Sequence, residues 1–90
     1  MDIEFDEEKR LQTLEHRGLD FNDAALVFER RTINHTDDRG AYGEVRIQTV
    51  GLLNGRIVML VWTQRGQARR IISMRKCNAR EQHKYRELLD

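Results

Sequence analysis

Asn54-Gly55 stands between two apolar runs, and nothing else in the chain restricts its fold as strongly. Both residues tolerate the positive φ of a two-residue type I′ turn, so the pair reads as the tip of an antiparallel hairpin. Ahead of it, Val45 and Ile47 alternate with Arg46 and Gln48, and Val50, Leu52 and Leu53 continue the strand. Behind it, Ile57-Val58-Met59-Leu60-Val61-Trp62 is apolar without alternation, the pattern of a central strand covered at least partly on both faces. Arg65-Gly66-Gln67 turns the chain again, and Arg69 to Lys76 forms the last strand of a meander.

The flanking segments supply helices and a further strand or two. Ile3 and Phe5 alternate with acidic residues, the period of a short half-exposed strand. Asp6 is placed to cap a helix whose first turn holds Glu7 and Glu8, favourable against the helix dipole. That helix runs to about Arg17 and ends at Gly18 in the C′ position. Its apolar stripe is only Leu11 and Leu14, while Lys9, Thr13 and His16 form a polar one. Asn22 or Asp23 can cap a shorter helix from Ala24 to Phe28, Ile33 marks a strand, and His35 to Gly40 reads as a polar loop. Asn78 caps a final helix with Glu81 at the third position of a capping box. Tyr85, Leu88 and Leu89 share a face of that helix, so the Tyr85 ring is expected to be packed and its hydroxyl hydrogen-bonded. These elements predict a single α+β domain over residues 1–90. Its sheet has four to five mostly antiparallel strands, with two N-terminal helices and one C-terminal helix, all on one side.

The chain lacks an apolar run near 18 residues, and its first six residues are acidic where a secretory signal is basic and then apolar. One cysteine, Cys77, excludes an internal disulfide framework, and proline is absent. A compact cytoplasmic protein is therefore expected. The net charge of +1 hides an asymmetry. Residues 1–64 hold eight Lys/Arg against twelve Asp/Glu, whereas residues 65–90 hold eight against three. A cationic segment of this kind attracts polyanions, although a solvated basic face would have the same composition.

Most site chemistries find no support. His16, His35, His83 and Cys77 lie in four separate elements without metal-ligand spacing, so neither a metal nor another cofactor is expected. Ser73 is the only serine and sits inside a predicted strand, not on a nucleophile elbow. Cys77 precedes the last helix, where it is either activated by the dipole or packed as a small hydrophobe.

The last strand is more informative. Regular alternation sends Arg69, Ile71, Ser73 and Arg75 to one face and Arg70, Ile72, Met74 and Lys76 to the other. Half-buried arginine is costly unless it meets an anion, either a phosphate-bearing ligand or the chain's own carboxylates, such as Glu44 or Glu81. Histidine moves protons near neutrality, and arginine forks suit charge developing on a phosphate. His16 together with Arg65, Arg70 or Arg75 therefore supplies the kinds of group that metal-free RNA cleavage requires.

The residues also resemble a known family. Phe5-Asp6-x-x-Lys9 and His16-x-Gly18-x-x-Phe21 are similar to the opening of the BrnT family of bacterial type II toxins. Tyr42-Gly43-Glu44-x-Arg46, Gly51-Leu52, Thr63-x-Arg65-Gly66 and Arg70-Ile71-Ile72-Ser73-x-Arg75-Lys76, then Glu81 and Tyr85, continue the resemblance in order. Thr13, Glu15, Met74 and Cys77 depart from it, standing where Asn, a basic residue and small residues are usual. The resemblance implies a RelE-like fold and a toxin that cleaves RNA and halts translation. It also implies a BrnA-like ribbon-helix-helix antitoxin, with operator DNA bound through that partner.

The combined expectation is a metal-independent endoribonuclease. His16 serves as general acid or base, with Arg65 and Arg75 as the catalytic cations and Lys9, Arg70 and Lys76 as phosphate contacts. A regular strand cannot aim Arg70 and Arg75 at one phosphate, so either a bulge re-aims one or one is structural. The alternative is a non-enzymatic subunit that binds antitoxin and shapes operator binding.

Overall fold

The computed structural model describes residues 2–89. Its elements are β1 (Asp2–Phe5), α1 (Glu7–Arg17), a 3-10 turn (Phe21–Asp23), α2 (Ala24–Phe28), β2 (Ile33–Thr36), β3 (Ile47–Leu53), β4 (Arg56–Arg65), β5 (Ala68–Lys76) and α3 (Ala79–Leu89). Local chemistry sets the boundaries. The Asp6 carboxylate accepts from the backbone N–H of Glu8 and Lys9, and Gly18, at φ 68°, closes α1 by donating its N–H to the Leu14 carbonyl. Asn54 and Gly55 take φ 51° and 78°, the left-handed values the hairpin requires.

The strands form one sheet in the order β1-β5-β4-β3-β2. The β2–β3, β3–β4 and β4–β5 pairings are antiparallel, whereas β1 runs parallel to β5. The sheet is therefore mixed. Alternation in Ile3 and Phe5 reveals a strand but says nothing of its partner, and here the first strand pairs with the last.

The helices do not share one side. Val58, Leu60 and Trp62 of β4 pack with Ala24 and Val27 of α2, together with Phe21, Ile71 and Met74. Ile57 and Met59, of opposite parity, pack with Tyr85 and Leu89 of α3, together with Val50 and Cys77. Thus α2 and α3 cover opposite faces, and the expectation of one-sided helices is corrected. The cause lies in β4 itself, since a strand apolar at both parities must be covered twice. The helix α1 is a lighter addition at the sheet margin. None of its side chains is buried, and it is tied down by an Arg10–Asp20 ion pair and by Arg17 donating to the Met74 carbonyl.

Candidate active site

Across β4 and β5 the register pairs Thr63 with Arg70 and Trp62 with Ile71, then Val61 with Ser73. Ile72 has no partner, so β5 carries a one-residue bulge that inverts the alternation beyond it. Arg69, Ile71 and Met74 consequently share the α2 face, and Arg70, Ser73 and Arg75 share the α3 face. This replaces the regular alternation expected from the sequence, and it removes the conflict between Arg70 and Arg75. Arg65, paired with Ala68, joins them on the same face. Lys76 does not: it pairs with Val58, which belongs to the α2 face.

Each of the three arginines on the α3 face has a carboxylate beside it. The Arg75 guanidinium donates from both terminal nitrogens to Glu81 at 2.8 Å. Arg65 lies 3.6 Å from Glu44 and Arg70 lies 3.6 Å from Glu4. Two of the three partners, Glu44 and Glu81, are those the sequence offered. Glu81 also closes the capping box of α3, accepting from the Asn78 N–H at 2.9 Å while the Asn78 side chain accepts from the Glu81 N–H. Helix start and strand arginine are thus locked together. The Arg75 guanidinium, opposed by partial burial, holds the Glu81 carboxyl down at about 2, and Glu81 raises Arg75 in return.

The segment from Asp37 to Arg46 folds against the Arg65 end of β4. Thr63 donates to the Val45 carbonyl at 2.7 Å, and the Asp37 N–H donates to the Arg46 carbonyl at 2.8 Å. Buried Asp37 receives the Arg39 fork at 2.8 and 2.9 Å, and Glu44 accepts from Arg46 at 3.1 Å. The positive charge of Arg39 acts weakly against that of Arg75. Arg39 is the cation that sequence reasoning missed, because it lies in a stretch readable only as a polar loop.

On α1, Lys9, Thr13 and His16 line a hollow of about 250 Å³ together with Gln12, Arg17, Ile72 and Ser73. The bulge residue and its neighbour form its strand-side wall. Arg65, Arg70 and Arg75 are not in that lining. Ser73 is the link, since it borders the hollow and stands between Arg70 and Arg75 on their face of the sheet. Lys76 instead borders a separate hollow with Gly18, Asn54 and Arg56.

Two further expectations resolve here. Burial pushes the Cys77 thiol up to about 11, which makes it a packed hydrophobe and a poor nucleophile. The Tyr85 ring is buried as expected, but its hydroxyl makes no hydrogen bond to another described residue.

The mixed sheet thus carries an arginine-bearing face beside a hollow bordered by His16 and Lys9. Residues 5–81 match the family described as ribonuclease toxin, BrnT, of type II toxin-antitoxin system, and the chain belongs to that family. No curated protein matches the chain. Membership makes the chain a ribonuclease toxin whose partner is an antitoxin. No helix among the described residues is long and apolar enough to cross a membrane.

Proposed function

We propose that this toxin is a metal-independent endoribonuclease, RelE-like in architecture, that halts translation by cleaving RNA at the junction of the α1 hollow and the β5 arginine face. The supporting observation is the bulge at Ile72, because it aligns Arg70, Ser73 and Arg75 beside the wall that His16 and Lys9 share. His16 takes the proton of the 2′-hydroxyl while water protonates the departing 5′-oxygen, or His16 protonates the 5′-oxygen while water accepts the 2′-hydroxyl proton. The 2′-oxygen bonds to phosphorus as the P–O5′ bond breaks, leaving a cyclic phosphate. Arg75 and Arg65 stabilise the negative charge that builds on the phosphate, while Lys9 and Arg70 hold neighbouring phosphates. Arg70 fits this role as well as Arg75 does, since both point to one face. Lys76 is assigned to RNA beyond the reacting phosphate, given its place on the opposite face. A BrnA-like ribbon-helix-helix antitoxin neutralises the toxin in the cytoplasm, and the pair binds operator DNA through that partner.

The test is RNA cleavage by antitoxin-free protein in EDTA. Wild type is expected to cleave and leave cyclic phosphate ends. Folded His16→Ala and Arg75→Ala are each expected to lose about 10²-fold or more. Cleavage only with a divalent ion would overturn metal independence, and full activity in His16→Ala would remove the proposed acid–base group. A wild-type protein inert under every condition, yet competent in operator binding with its partner, would favour a co-repressor instead.

A further inference from the structure

The α2 face holds an arginine that neither core packing nor the proposed RNA chemistry accounts for. Arg69 stacks its guanidinium on the Phe28 ring at 3.9 Å and reaches toward Trp62 at 4.9 Å. Its Nε is shut off from solvent without a hydrogen-bond partner. Among the described residues, the other half-buried arginines, Arg10, Arg46, Arg70 and Arg75, each have a carboxylate within 4.0 Å. Arg69 has none among the described residues, and its burial pulls the guanidinium below its ordinary value.

Arg69 borders a hollow of about 260 Å³ with Ile3, Ala25, Phe28 and Glu29. Leu26, next along α2, is 47% exposed. Below them runs β1, whose outer side is the end of the sheet and offers unpaired backbone groups. An aromatic pair holding an arginine fork in place, ringed by apolar surface and beside a free strand edge, has the composition of an interface anchor.

From this geometry we infer that an extended, carboxylate-bearing segment of the antitoxin docks along β1, with Arg69 as its anchor. The inference rests on toxin–antitoxin membership and not on the ribonuclease chemistry. A single carboxylate satisfies the fork bidentately, and the stacking on Phe28 has already fixed the fork's orientation. Polyanionic RNA fits poorly, since the hollow offers one cation and Glu29 stands on its rim. Docking here also leaves the opposite, arginine-lined face of the sheet physically separate from the contact.

The test titrates toxin with its cognate antitoxin and follows RNA cleavage and melting of the free toxin alongside. Arg69→Gln is expected to weaken antitoxin binding tenfold or more, and Arg69→Lys about threefold or more, while both keep RNA cleavage. Glu29→Gln removes the competing charge and is expected to tighten binding. Leu26→Glu, at an exposed position, provides a variant of small folding cost and is expected to weaken binding. Folded Arg69→Gln and Leu26→Glu that both bind antitoxin within twofold of wild type would overturn the docking surface alone. So would an Arg69→Gln protein that loses RNA affinity while its antitoxin affinity stays intact. A wild-type chain that binds no antitoxin would overturn the partner assignment as well.

Discussion

Thr49 is polar, wholly buried, and bonded on both sides. Its hydroxyl accepts from Trp62 Nε1 at 2.7 Å and donates to Asn34 Oδ1 at 2.6 Å. Thr49→Val keeps the shape and strands the indole N–H inside the core. The expected loss is about 1–3 kcal/mol, read from denaturant midpoints, with cleavage per folded molecule unchanged. Glu81 makes a different prediction, in acid. Its folded carboxyl sits at about 2 against an ordinary 4.5, so the fold favours the ionised form. That stability is complete above the ordinary value and is lost as pH falls toward 2. The melting-temperature gap between wild type and Glu81→Gln should therefore be widest at neutral pH and close as pH drops through this window. Asp37, also held at about 2 by the Arg39 fork, keeps an acid limb in the variant.

At the scale of elements, α2 rests on β3 through Gly51. A Cβ there would meet Val27 Cγ1 at 2.6 Å and Thr32 Cγ2 at 3.3 Å, so Gly51→Ala forces Val27 or its helix to shift. A cost of about 1–3 kcal/mol is expected, and Val27→Ala in the same chain should recover part of it. Elements of this kind were legible where their signals are local. Asp6 and Gly18 bracket α1, Asn54-Gly55 turns the hairpin, and Asn78 with Glu81 opens α3, each within a few residues of sequence. Two features were not legible, and a third, the bulge, only as one of two alternatives, because each depends on residues far apart in the chain. The bulge at Ile72 exists only in the register between β4 and β5, and the parallel neighbour of β1 lies more than sixty residues away. Arg39, held by Asp37, sets its charge against that of Arg75 across the fold. The proposed site was therefore readable as a set of residue types, Lys9, His16, Arg65, Arg70 and Arg75, but not as a hollow on α1 beside an arginine face of the sheet. Lys76 shows the limit, since its charge is plain in the sequence while its place on the other face is set by register alone.

For the whole molecule, the net charge of +1 understates the field that a strand of RNA meets. Affinity for single-stranded RNA should fall with salt, and Arg70→Ala should reduce the slope of log K against log salt by about 0.7 if that side chain covers one phosphate. Glu4→Gln, which frees Arg70 from its own carboxylate, should strengthen binding at low salt. The pairing of β1 with β5 bears on how the toxin comes into being. A nascent polypeptide that has emerged only as far as β4 lacks the neighbour its first strand needs, and it lacks Arg70, Ser73 and Arg75 as well. Sealing the sheet and bringing the proposed cutting surface together thus become one event, and neither can precede the emergence of β5.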